Sequence, residues 1–217
     1  MELYLVRHGQ SVGNTMPDRD MPDSPLTERG LAQAGRVGMY LRDRGIAGIF
    51  ASPLIRALQS AQPLAQLLQL PVQVRKELYE VREGGQYIGP SLQSLSECVP
   101  EAAFQNTMEK DGWVYPGGDN HEIVVQRARE MLRQLNMCGE ERIAVFCHGN
   151  FNEYLIREAL GIASSAHIRF PQANTGVTHI IFREHATELI KLNDTTHLEA
   201  GQLSDQQSSV NTKRAAR

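Results

Sequence analysis

The sequence predicts an α/β fold: a three-layer α/β/α sandwich with a mostly parallel central sheet and an inserted cap segment. Three observations predict it. Short β-rich apolar runs alternate with helical stretches whose apolar residues recur every three to four positions. Two of those runs, residues 2–6 and 142–147, end at a histidine followed by glycine, His8-Gly9 and His148-Gly149. One stretch, residues 84–120, breaks the alternation, being rich in Gly, Pro, Ser and polar residues. A connection of that length is usually functional, which is why it reads as a cap or lid.

Residues 2–6 read as a buried strand. Residues 27–44 read as a helix, with Thr27 at the N-cap, an apolar stripe of Leu31, Ala34, Val37 and Leu41, and Gly45 closing it. Residues 46–51 form a second strand. Pro53 opens a second helix that runs toward Pro71, and residues 72–74 form a third strand leading to Leu78-Tyr79-Glu80. After the cap, Asn120 is placed to cap a helix carrying Ile123, Val124, Ala128, Met131, Leu132 and Leu135 on its core face. A fourth strand at 142–147 precedes a helix from about 151 to 160, stopped by Gly161. Residues 177–183 and 188–192 read as a terminal antiparallel hairpin. The expected catalytic domain is 1–198, and the polar, aperiodic stretch 199–217 reads as a disordered tail ending in a few basic residues.

With 217 residues, 41% hydrophobic and 22% charged, the chain suits one domain with a substantial core. A formal net charge of -3 supplies no general attraction to nucleic acid or to an anionic membrane. Affinity for an anion must therefore come from a local cluster of positive groups. Three scattered cysteines fit a reducing compartment. Residues 1–6 are too short for a secretory leader, and no apolar run reaches membrane-spanning length. These points lead to a cytoplasmic protein that acts without nucleic acid or membrane.

In an open α/β sheet the ligand crevice lies beyond the carboxyl ends of the strands. His8 and His148 both stand there, each followed by a glycine that lets the backbone turn closely. Arg7 precedes His8, and Arg56 lies in the first helical turn behind the strand at 46–51. Guanidinium forks suit phosphate oxygens. A neutral imidazole nitrogen of His8 can attack phosphorus while Arg7, Arg56 and His148 offset charge on the equatorial oxygens. The same cations should keep His8 unprotonated. Side chains supply the positive charge, so neither metal nor cofactor is expected. Glu80 is the expected proton donor, with Glu83 in reserve. His121, His167, His179 and His185 lack partners at metal-ligand spacing and read as structural or exposed.

Arg7-His8-Gly9-Gln10-Ser11, with Asn14 after it, resembles the signature of the histidine phosphatase superfamily, in its phosphoglycerate-mutase-like branch. The likeness continues through Leu26-Thr27-Glu28-Arg29-Gly30, Ser52-Pro53-Leu54 with Arg56-Ala57, and Leu78-Tyr79-Glu80. It closes with His148-Gly149-Asn150 and Asn193-Asp194-Thr195 with His197-Leu198. The ordered series spans roughly residues 1–198 and is far more specific than any single tripeptide. It implies that His8 is phosphorylated, that Arg7, Arg56 and His148 form the phosphate pocket, and that Glu80 is the proton donor. Asn14 and Gln10 are the further substrate-binding residues it implies. His197 falls in a family-like segment, where a packing or hydrogen-bonding role is expected.

Two departures stand out. The family's Gly-Glu-Ser before the helix after the cap is here Gly118-Asp119-Asn120. The cap also lacks the arginine pair with which phosphoglycerate mutases hold the substrate carboxylate. Hydrolysis of a small phosphorylated substrate is therefore favoured over mutase-type transfer within a phosphorylated acid. A phosphoprotein substrate uses the same chemistry. The competing class is a non-catalytic module that binds a phospho-ligand, for which the full set of five residues would be unnecessary.

Overall fold

The computed structural model describes residues 1–16, 18–106, 108–163 and 167–203. Strand β1 (Glu2–Arg7) leads into a one-turn helix α1 (Val12–Thr15), then α2 (Glu28–Leu41), β2 (Gly48–Ala51), α3 (Ile55–Leu68) and β3 (Val72–Val74). The cap region contributes β4 (Tyr87–Ile88), α4 (Leu92–Cys98), β5 (Ala102–Ala103) and β6 (Val114–Tyr115). Helix α5 (His121–Asn136), β7 (Arg142–Cys147), α6 (Gly149–Ala159), β8 (Val177–Phe182) and β9 (Thr187–Asp194) complete the order.

The main sheet runs β5-β3-β2-β7-β1-β8-β9. Pairing from β5 through to β1 is parallel, and β8 and β9 add an antiparallel hairpin at one side. Side chains alternate across each strand. Tyr4, Val6, Ile49, Ala144 and Phe146 therefore pack with α2 and α3, while Leu3, Leu5, Phe50, Ile143 and Val145 pack with α5 and α6. This is the three-layer α/β/α arrangement expected from the alternation of elements. Among the described residues, no helix is long and apolar enough to cross a membrane.

The helix caps follow local chemistry. Thr27 Oγ1 accepts the Gly30 N–H at 3.1 Å, and Asn120 Oδ1 accepts that of Ile123 at 3.0 Å. Gly45 takes φ +68°, the left-handed conformation that ends a helix.

Three features differ from the sequence expectation. Helix α3 starts at Ile55 rather than at Pro53, and its cap comes from a distant loop: Asp23 Oδ1 accepts the Ile55 N–H at 2.7 Å. Part of the 84–120 stretch is not a separate lid, because β5 joins the main sheet as a neighbour of β3. The first residues of the expected tail are ordered. Residues 200–202 form a 3-10 turn against α2, where Gln33 Nε2 donates to Gln202 O at 2.6 Å and Arg36 ion-pairs with Glu199. The remaining stretch, 204–217 with its basic end, lies outside the described residues.

Candidate active site

The site is built where three parallel strands end side by side. Arg7 of β1 is in register with Cys147 of β7, so His8 and His148 follow the same rung of the sheet. His8 N–H donates to Cys147 O at 2.9 Å, and the two rings lie 5.2 Å apart at a 58° tilt. Strand β2, on the other side of β7, runs into Ser52, whose N–H bonds Phe146 O at 3.1 Å. His8 is 3% exposed and His148 is fully buried.

Hydrogen bonding assigns the proton on His8. Its Nδ1 lies 2.7 Å from Gly9 O, and a carbonyl only accepts, so Nδ1 carries the hydrogen and Nε2 the lone pair. Nε2 accepts the Nε–H of Arg56 at 3.2 Å. Burial, then Arg56, then Arg7 hold His8 well below the ordinary imidazolium value. The side chain is thus a neutral imidazole with an available lone pair among cations.

His148 is likewise held well below that value, by burial first and then by Arg56, His8 and Arg7. Its Nε2 is 2.7 Å from Ser52 Oγ, and that oxygen already accepts the Leu54 N–H at 3.3 Å. Among the described residues, the buried Nδ1 of His148 has no partner, and neither has the buried Nε of Arg7. An unpaired guanidinium N–H and an unpaired imidazole nitrogen beside the His8 lone pair suit an anion.

The guanidinium groups are held by backbone carbonyls. Arg7 Nη1 donates to Gln172 O at 2.6 Å, and Arg56 Nη1 to Pro22 O at 2.8 Å. Gly149 makes room for Arg7, since a Cβ there would lie 3.3 Å from Arg7 Nε. Among the described residues, neither arginine has an ion pair to a carboxylate, though both feel the charge of Glu80.

Glu80 reaches the start of α6. Its Oε1 accepts the N–H groups of Val81 at 2.8 Å and Phe151 at 3.0 Å, and its Oε2 accepts that of Asn150 at 3.3 Å. A carboxylate at a helix N-terminus meets unpaired amides and the favourable end of the dipole. Glu83 is exposed. Of the two carboxylates named from the sequence, Glu80 is the one whose charge reaches both arginines.

The chain matches the family profile described as the histidine phosphatase superfamily (branch 1) over residues 3–195. It belongs to that superfamily. A relative from Erwinia tasmaniensis, named "Probable phosphoglycerate mutase GpmB", is 29% identical over 184 residues, covering 83% of this chain and 84% of its own. Among solved structures, phosphoserine phosphatase from Entamoeba histolytica in complex with 3-phosphoglyceric acid superposes with a TM-score of 0.67 at 24% identity, covering 91% of this chain and 99% of that one. A mycobacterial glucosyl-3-phosphoglycerate phosphatase does so at 0.67 with 21% identity, covering 89% and 99%. At those identities the likeness carries the fold.

Within this histidine phosphatase, the other expected residues divide. Asn14 Oδ1 accepts the Ser11 N–H at 3.1 Å and the Asn174 amide at 3.3 Å, so this oxygen is engaged within the protein and a ligand would have to be met by Nδ2. Gln10 Oε1 accepts the Thr27 hydroxyl at 2.9 Å, which ties this side chain to the start of α2. His197 does hydrogen-bond, at 3.2 Å from Thr175 Oγ1.

Nothing in the sequence pattern marks the loop at 172–176. Asn174 Nδ2 donates to His8 O at 3.0 Å, and Thr175 N–H to Arg7 O at 3.0 Å. Thr175 takes φ +54°, rare for a β-branched residue and costing of order 1–3 kcal/mol. A strained residue behind the histidine is a common mark of a functional site. Ser52 and Ser60 were also missed as members; Ser60 Oγ accepts the Gly9 N–H at 2.9 Å.

Proposed function

We propose that this histidine phosphatase hydrolyses small phosphomonoesters without a metal, through a phosphohistidine on His8. The observation that carries the proposal is the neutral, Nδ1-protonated His8 with its Nε2 lone pair facing Arg56. Arg7, Arg56 and His148 hold the phosphate, and Asn14 adds its amide.

In the first step the Nε2 lone pair forms the N–P bond as the ester P–O bond breaks, and Glu80 gives its proton to the departing oxygen. In the second, water attacks phosphorus, the N–P bond breaks, and the Glu80 carboxylate takes the proton from water. The sum is ester plus water to alcohol plus phosphate. Glu80 Oε2, with its single 3.3 Å contact, is the oxygen better placed to carry the proton. The Nδ1 hydrogen bond to Gly9 O stabilises the ring as positive charge develops on it.

Hydrolysis is favoured over mutase transfer by the cap. Residues 84–120 hold one basic side chain, the exposed Lys110, so they offer no guanidinium pair for a substrate carboxylate. Relatives named as phosphoglycerate mutases keep transfer as the second reading. The scattered free cysteines fit a cytoplasmic location.

The test is a panel of phosphomonoesters, including phosphoserine and a phosphopeptide, assayed with chelator for free phosphate and for isomerised product. Phosphate release unaffected by chelator is expected. Isomerised product without phosphate establishes the mutase reading, and loss of turnover with chelator overturns the metal-free one.

A further inference from the structure

Helix α5 sends one cation into the stretch of chain that carries Glu80. The Arg127 side chain is 8% exposed and that of Asp119 is 1% exposed, and they meet at 3.0 Å. Arg127 Nη1 donates to Glu77 O at 3.0 Å and to Tyr79 O at 2.6 Å. Its guanidinium carbon lies 3.6 Å from the Tyr79 ring centre and 4.1 Å from that of Phe151. Phe151 is the residue whose N–H holds Glu80 Oε1.

Asp119 continues the ties past Glu80. Its Oδ2 accepts the Arg82 N–H at 2.9 Å. Asp119 stands at the neck of the cap, where Gly118 N–H bonds Gly84 O at 2.9 Å and a Cβ on Gly117 would lie 2.4 Å from that oxygen. Tyr115 of β6 adds its hydroxyl, which donates to Glu80 O.

We infer that Arg127 and Asp119 are a positioning pair for Glu80, anchoring the proton donor between α5, α6 and the neck of the cap. The inference rests on Glu80 being that donor. Residues 79–83 lie outside helix and strand, so no regular ladder fixes the Glu80 backbone. Its flanking groups are tied by this pair instead: Tyr79 O to Arg127 and Arg82 N–H to Asp119. A buried ion pair is a costly way to fill space, since apolar residues of similar size often do as well. The expense is understandable where direction matters. The cation sits between two aromatic faces, which fixes the plane of its fork.

The test uses leaving-group dependence, which a purely structural role does not move. An alkyl phosphate such as phosphoserine needs a proton on its departing oxygen, whereas p-nitrophenyl phosphate expels a weakly basic phenolate that does not. Arg127→Met and Asp119→Asn are compared with Glu80→Gln by the ratio of kcat/KM for p-nitrophenyl phosphate to that for phosphoserine. Misplacement of a catalytic group on the scale of an ångström costs up to about a hundredfold, so the ratio is expected to rise about tenfold or more in all three variants. An unchanged ratio in the Arg127 and Asp119 variants, with a raised one in Glu80→Gln, overturns the positioning role and leaves the donor standing. An unchanged ratio in Glu80→Gln overturns both. If Arg127→Met lacks a cooperative unfolding transition, the near-isosteric Asp119→Asn decides by the same ratio.

Discussion

Arg56 donates its Nε–H to His8 Nε2 across 3.2 Å, so the cation that would neutralise an incoming phosphate also covers the lone pair that must attack it. Substrate binding has to redirect that donor from nitrogen to a phosphate oxygen. The guanidinium can do this because Nη1 stays anchored on Pro22 O.

Arg56→Lys is therefore expected to be damaging despite the conserved charge, since an ammonium lacks the fork that holds Pro22 and the anion at once. Loss of a preorganised donor of this kind costs about 10²–10³-fold in kcat/KM. Steady-state assays on a phosphomonoester check it, and activity near that of the parent would contradict the role of Arg56.

The buried histidines make stability depend on pH. His8 and His148 are held well below the ordinary imidazole value, and His197 is lowered to about 4, mainly by burial. Below about pH 6.5 the unfolded chain takes up protons that the native one refuses, so stability falls as the pH falls. For His197 that window reaches down to about 4. Urea midpoints measured between about pH 7 and pH 5 should decrease, and His197→Gln should flatten the slope. A midpoint that rises on acidification would contradict the assignment of neutral imidazoles.

Two backbones touch where α2 meets the loop that follows His8. A Cβ on Gly30 would lie 2.0 Å from Gln10 O, and one on Gly9 would lie 2.6 Å from Gly30 O. Glycine inside α2 is there for that approach. Gly30→Ala should cost about 1–3 kcal/mol, because neither backbone can yield without moving the loop that begins at His8. Chemical denaturation measures the loss, and kcat/KM is expected to fall with it.

What was legible in the sequence was local. Strand-then-histidine-then-glycine occurs twice, and parallel pairing of β1 with β7 turned two local patterns into one site. Thr27 and Asn120 were readable as caps because each bonds a residue three positions on. The rest is non-local. Asn174 lies 166 positions from the His8 carbonyl it bonds, and Asp23 lies 32 from the amide it caps. Nothing in the neighbourhood of either residue marks it. Gln10 stands inside the signature, yet the contact of its side-chain oxygen with the Thr27 hydroxyl, 17 positions away, is equally unmarked in the sequence.

Asn174 supplies the next test. Its amide bonds both His8 O and Asn14 Oδ1, so Asn174→Ala removes a support of the nucleophile and of Asn14 together. Inorganic phosphate, as a competitive inhibitor, should bind about fivefold more weakly, the equivalent of about 1 kcal/mol for one hydrogen bond. Unchanged inhibition would remove Asn14 from the phosphate site.

The claim on which the whole account depends is that His8 takes the phosphoryl group on Nε2. The direct measurement is to stop the reaction with a phosphomonoester in alkali and map acid-labile phosphate by mass spectrometry. The account predicts phosphate on His8 in the parent protein, none in His8→Ala, and turnover abolished in that variant. Phosphate on another residue, or undiminished turnover in His8→Ala, would contradict it.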